Sequence, residues 1–491
     1  MKYSLVAGLL ALSSLSACVD LEELNVNPNN ATQTTPGLLL TDIAYDAFSE
    51  TSTTPAYASK MLVQTDGESD AQVYKWTRGG FDYYNNLRNV VKMMEVADAQ
   101  QSDAYKAIAL FFKAHYFYKL TLTFGDIPYS EALSAESQSL FMPKYDSQES
   151  VFEGVLNDLA EANRLLTNNN TVISGDIIYG GNVQKWRRLV NAYRLRVLIT
   201  LSGKQTAGSV NVKSTFASIV ANEPLFEGDA DNGQVVFLDQ QNNRYPHFNS
   251  SGFGSGMYMD STYIQALKVR KDPRLFAIAT MTPQAESAGL EVNDFSAYDG
   301  GDPAVAYNLV NDKAAAGRVS KPNQRYYKNA TNEPMVLMGY PEQQLILAEA
   351  VVRGWITGDV KNLYESAVRS SFRFFETYAK GYSAYMNAEA ANAYLQNELV
   401  AYNVSLPVAD RLKRIVMQKY LPSFLQGMWN PFFEHLRTGY PDFRRSGGTS
   451  IPYRWMYPQA EYNNNTDNVK SALQSQFDGS DKISDKTWWL K

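Results

Sequence analysis

The sequence predicts a mainly α-helical fold in which helical hairpins pack against a loop-rich, irregular helical subdomain. Three observations carry this expectation. Apolar residues recur at three- and four-residue intervals through several long stretches, the period of an amphipathic helix. Two of those stretches are joined by a tight Gly-Asp turn, with alanine where the helices must approach. Two other runs, Asp229 to Asp260 and Pro283 to Pro334, are rich in Gly, Asn, Asp and Pro and show little periodicity. Composition agrees: 491 residues, 45% hydrophobic and 20% charged, lie in the ordinary globular range and exclude disordered, collagenous and coiled-coil chains. A formal charge of -6, from 45 Lys+Arg against 51 Asp+Glu, offers no sequence-wide cationic surface, so nucleic acid is not expected as a partner. With 3 His and 1 Cys, neither a disulfide scaffold nor a His- or Cys-rich metal site can be assembled, and no cofactor is expected.

Residues 1–17 read as a signal peptide: a positive start at Lys2, an apolar stretch from Ser4 to Leu12, and small residues before Cys18. The apolar stretch is too short to cross a bilayer core, which takes about 20 helical residues. Leu15-Ser16-Ala17-Cys18 resembles the bacterial lipobox, whose cysteine is acylated, and the chain's single cysteine falls at the position that signal requires. Two or more acyl chains hold a protein firmly on a membrane without spanning it. Residues 18–37 then form an extended tether rich in Asn, Thr and Pro, and residues 38–491 one large domain.

Within that domain the first long stripe runs from Asp103 through Ala107, Phe111, His115 and Tyr118 to Leu122, and stops at the turn Phe124-Gly125-Asp126-Ile127-Pro128. Helices are also expected over Gln148–Leu166, Asn182–Leu201 and Pro341–Trp355. The last ends at Gly358-Asp359, and a partner starts at Val360 with Leu363, Ala367, Ser371 and Phe374 on one side. This hairpin, from Tyr340 to about Arg373, has the length of one tetratricopeptide unit, about 34 residues, and such a unit buries its faces only against stacked neighbours. Loops as long as 229–260 and 283–334 are uncommon in compact domains unless they serve a function, and their many aromatic residues argue against disorder.

In order along the chain, Leu24-Asn25-Val26-Asn27-Pro28-Asn29, Phe124-Gly125-Asp126-Ile127-Pro128-Tyr129, Lys271-Asp272-Pro273-Arg274-Leu275, Tyr340-Pro341-Glu342 with Ala348-Glu349-Ala350 and Arg353-Gly354, Arg437-Thr438-Gly439-Tyr440-Pro441, Ile451-Pro452-Tyr453-Arg454 and Tyr457-Pro458 stand behind the lipobox. This set resembles the SusD/RagB family of surface lipoproteins, in its SusD-like branch. The resemblance implies tetratricopeptide-like units, here about 103–203 and 340–440, and ligand-side loops about 66–84, 229–260 and 283–334. It also implies an outer-membrane location on the extracellular face and a SusC-like TonB-dependent transporter as partner. The implied role is capture of a nutrient, typically an oligosaccharide, without catalysis.

The residues themselves favour binding over catalysis. His115 and His435 sit on helical faces and read as structural, while His247 in a loop is the one histidine expected to face a ligand. There is no Gly-x-Ser-x-Gly elbow and no His-Glu-x-x-His. A carboxylate pair for glycoside hydrolysis is a matter of spatial separation, about 5–10 Å, which sequence leaves open. A sugar presents a C–H face to an aromatic ring and hydroxyls to amide, carboxylate or guanidinium groups. On that ground the candidate ligand contacts are Tyr74, Trp76 and Arg78 in the first loop, Tyr245, Asn249 and Tyr258 in the second, and Tyr298 and Asp299 in the third. For Trp76 packing and binding weigh about equally, and the terminal Trp488-Trp489 reads as a docked tail or a channel contact. A peptide- or protein-binding adaptor is the alternative reading, and a glycoside hydrolase the third.

Overall fold

The structure, a computed structural model, describes residues 34–253 and 256–491; the expected signal peptide, Cys18 and most of the tether lie outside the described residues. The longer helices are α1 (Pro36–Phe48), α2 (Tyr83–Ala99), α3 (Asp103–Phe124), α4 (Gln148–Leu166), α5 (Val183–Thr200), α6 (Val212–Asn222), α7 (Ser261–Val269), α8 (Tyr307–Ala315), α9 (Tyr340–Val352), α10 (Val360–Tyr378), α11 (Val408–Tyr420), α12 (Asn430–Thr438) and α13 (Thr466–Phe477). Helix α1 starts inside the stretch expected as tether, because Pro36 suits a first helical position and the Thr35 side chain accepts from the Leu38 N–H.

Neighbouring helices stack in chain order. Helix α1 packs on α2, α2 on α3, α3 on α4, α4 on α5, and α5 on both α6 and α9; α9 then packs on α10 and α11, and α11 on α12. Helix α3 lies between α2 and α4 and is buried nearly all round, which its aromatic and alanine content permits. The predicted hairpin is α9–α10, and Asp359 caps α10 by accepting the Asn362 N–H. Ser147 and Asn182 cap α4 and α5 in the same way.

Two of the strings that mark the family resemblance meet here. Glu349, fully buried on α9, accepts from Arg437 on α12 and pairs with Arg353 and with Lys419 on α11. Burial opposes ionisation of Glu349, but the charge and hydrogen bonds of Arg437, with Lys419 and Arg353, hold its carboxyl below the ordinary range. A second buried pair, Asp272 with Arg274 at 2.6 Å, ties the Asp-Pro-Arg string to α10 and α11 through Ser371 and Gln418.

The irregular part is held by short strands, β1 (Leu62–Gln64), β2 (Gly233–Val235), β3 (Met257–Met259) and β4 (Met335–Met338). Strands β1 and β3 pair antiparallel, and so do β2 and β4. The 229–260 stretch is therefore stapled near both ends, by β2 and β3, and the 283–334 stretch contains α8, too short for its period to stand out in sequence. The C-terminal tail docks: Trp489 is buried and its backbone N–H donates to the Gln148 Oε1 on α4 at 3.0 Å.

Candidate functional site

The tertiary structure divides the candidate ligand residues into packed and surface groups. Trp76 is corrected to a core residue: its ring stacks on Trp455 with centroids 4.7 Å apart, lies against Trp429 and Phe432, and its indole N–H donates to the Arg454 carbonyl. Arg78 is likewise engaged, donating to the Tyr457 carbonyl at 2.6 Å and to Asp481 at 3.0 Å. Tyr74 is buried, donates to the Ala58 carbonyl and carries the Lys60 ammonium over its ring. Tyr245 and Tyr298 are buried as well, Tyr245 between Phe237 and His247, Tyr298 donating to the Val292 carbonyl. His247, expected at the ligand side, is instead buried against Tyr245 and Phe253, and burial lowers it to about 4. The common reason is that large rings in aperiodic segments supply the apolar area those segments need in order to pack at all. Asn249 is exposed, in the left-handed region, with its N–H given to the Tyr327 carbonyl. Asp299 and Tyr258 are half-exposed.

Tyr258 marks where three of the loops converge. It stands opposite Val63 in the β1–β3 pair, so the two side chains share a face. Gly301 closes that face from the third loop: a Cβ there would lie 2.5 Å from Val310 and 2.7 Å from Val63. One turn of α8 before Val310 is Tyr307, 44% exposed and flanked by the exposed Val305 and Leu309. Arg444 bridges to Asp302 at 2.6 Å and ties this turn to the 442–449 loop. Beside it opens a cavity of about 760 Å³ whose lining includes Ser261, Thr262, Gln265, Asp442, Arg444 and Thr449. Lys321 lies 4.9 Å from the Tyr258 ring centre. Beneath the floor, burial pushes Asp260 up and Lys60 down, each moderated by the other's charge. The surface thus offers hydroxyl, amide, carboxylate and guanidinium groups beside half-exposed aromatic rings.

Residues 28–458 match the SusD-like family described as starch-binding and associating with the outer membrane. The chain belongs to the SusD-like family. Solved structures agree. An outer-membrane protein from Bacteroides vulgatus, whose name links it to nutrient binding, is 61% identical, with 93% of this chain and 100% of that chain covered and a TM-score of 0.91. A SusD homolog from Bacteroides fragilis is 51% identical over 94% of this chain and 100% of its own, with a TM-score of 0.89. Another from the same organism is 32% identical over 93% and 100%, with a TM-score of 0.87. Among curated proteins none matches the chain. Membership makes this a nutrient-binding protein of the outer-membrane class, and no helix among the described residues is long and apolar enough to cross a membrane.

This SusD-like chain has a second concavity, more enclosed, of about 370 Å³, between α5 and α9 to α12. Phe374 and Tyr378 of α10 and Phe433 of α12 line it, with Lys419, Glu434 and Arg437 at one end. Sequence reasoning passed over this cleft because its lining comes from segments distant in the chain, none locally unusual. Tyr307 stood only among the many loop aromatics, and its exposure has no sequence signal.

Proposed function

We propose that this protein is a lipid-anchored, non-catalytic lid that captures an oligosaccharide on the loop surface around Tyr258 and Tyr307 and hands it to a SusC-like TonB-dependent outer-membrane transporter. The observation that carries the reading is one open polar cavity, lined from 261–265 and 442–449 and tied by the Arg444–Asp302 bridge to the 283–334 loop, whose Tyr307 ring remains partly uncovered. Family membership and the lipobox at Cys18 support the anchored, extracellular placement. Of the residues first nominated, Tyr258, Asn249 and Asp299 stay as surface candidates, and Tyr307 and Arg444 join them. Two or three ring contacts with their polar neighbours give a net affinity of about 4–8 kcal/mol, which corresponds to dissociation constants of about millimolar to micromolar. Weak capture suits a molecule that must release its cargo.

Affinity electrophoresis against a panel of polysaccharides tests the reading. Retardation by at least one glycan, reduced in Tyr307→Ala and Tyr258→Ala, is expected; retardation that both variants retain would move the site elsewhere. Release of reducing sugar by highly purified protein, abolished by a single carboxylate substitution, would overturn the non-catalytic role. Palmitate incorporation at Cys18, lost in Cys18→Ser, checks the anchor.

A further inference from the structure

The enclosed cleft has a chemistry distinct from that of the loop surface. At about 370 Å³ it falls at the small end of the range that holds small-molecule ligands. Its walls bring the half-buried rings of Phe374 and Tyr378 together with buried Phe433. Its charged lining is unbalanced: four cations, Arg196, Arg373, Lys419 and Arg437, stand against three anions, Asp229, Glu342 and Glu434. Arg196 is neutralised by Glu342 at 2.6 Å, and Arg373 by Asp229 at 2.7 Å. That leaves Lys419 and Arg437 to share Glu434 and, behind the lining, Glu349, which also holds Arg353. Three cations therefore meet two carboxylates, a surplus of one positive charge. Both carboxylates are ionised, since Arg437 and Lys419 hold each below its ordinary range against the effect of burial.

Lys419 is the loosest member of this group. It lies 3.3 Å from Glu434 and 3.7 Å from Glu349, while Arg437 takes the same two carboxylates at 2.6 and 2.9 Å. The Nε of Arg437 and the Oε1 of Gln234, both on lining residues, are buried without a hydrogen-bond partner. The surplus charge and the unmet Arg437 Nε–H in a partly enclosed space are costly unless an anion compensates them, whereas the Gln234 oxygen, an acceptor, calls for a donor. The ring walls at the same time favour an apolar body.

We propose that the cleft between α5 and α9 to α12 binds a small monocarboxylate with an aromatic or similarly sized apolar body, its carboxylate on Lys419 and its body against Phe374 and Tyr378. The site is separate from the loop surface and does not depend on glycan capture there. Isothermal titration and saturation-transfer NMR of the purified protein with 3-phenylpropionate, set against the uncharged 3-phenylpropan-1-ol, test it. The carboxylate is expected to bind about tenfold more tightly than the alcohol. Lys419→Met should abolish that preference, and Tyr378→Ala should weaken both probes. Equal affinity for the two probes, binding of neither, or carboxylate binding that survives both substitutions would overturn the proposal. Tyr378 is only half-buried, so its variant keeps the test decisive if Lys419→Met fails to fold.

Discussion

The helical layer and the loop surface hold their charges in opposite ways. In the helical layer Glu349 and the Arg274–Asp272 pair are inaccessible to solvent, and every member makes several charge-assisted bonds. On the loop surface the bridges are isolated pairs and wet: Arg444, which takes Asp302 through two N–H groups, is 57% exposed, and Lys75 is 66% exposed in its pair with Glu68. The first arrangement fixes geometry, since removing one partner strands a buried charge. The second leaves groups that can exchange a weak internal partner or water for a ligand hydroxyl at little cost.

The sharpest way to break this comparison is Arg437→Met, which should cost about 3–5 kcal/mol by removing the closest ion-pair and hydrogen-bond partner of both buried carboxylates, Glu349 and Glu434; urea unfolding would show it, and a loss below 1 kcal/mol would mean the network is ornamental. Trp76→Ala should cost about 3–4 kcal/mol by opening a cavity among Trp455, Trp429 and Phe432, while glycan affinity stays unchanged in the folded fraction. If affinity fell instead, Trp76 would be returned to the binding surface.

A smaller effect is expected with pH. Asp126 accepts the Gln148 N–H at the start of α4, and burial raises its carboxyl to about 7. Its folded value lies above its unfolded one, so the native state binds more protons between roughly pH 4 and 7. Its contribution to stability is thus fully present below pH 4 and is lost as pH rises to 7. Asp126→Asn should flatten that part of the pH–stability curve, and an unchanged curve would refute the assignment.

Tyr307→Ala should reduce glycan affinity by roughly 1 kcal/mol while leaving the unfolding midpoint alone, the reverse of the Trp76 result. Last, Arg444→Ala should shift stability by less than about 0.5 kcal/mol; calorimetry showing a larger loss would place the 442–449 loop with the structural half of the molecule.

The five helices expected from periodicity were legible in sequence to within a few residues because their signal is local. The stripe from Asp103 and the hairpin at Gly358-Asp359 record a period and a turn, and neither depends on what packs against them. The family strings were legible too, and the structure gives a physical reason: Glu349 and Arg437, far apart in the chain, are the two halves of one buried ion pair. The proposed binding surface was legible only as a set of loops. Composition nominated tyrosines and a tryptophan in those loops, yet Tyr74, Trp76, Tyr245 and Tyr298 face inward and Tyr307 outward.

By itself, then, the sequence determined the helical layer and the family, because each is written in neighbouring residues or in strings that pairwise chemistry constrains. Only the tertiary structure decided which rings stay uncovered, that Gly301 brings Val63 to Val310, and that Lys419 and Arg437 share too few carboxylates. Exposure and charge balance at a point are sums over residues from many segments, and no window along one chain contains those terms.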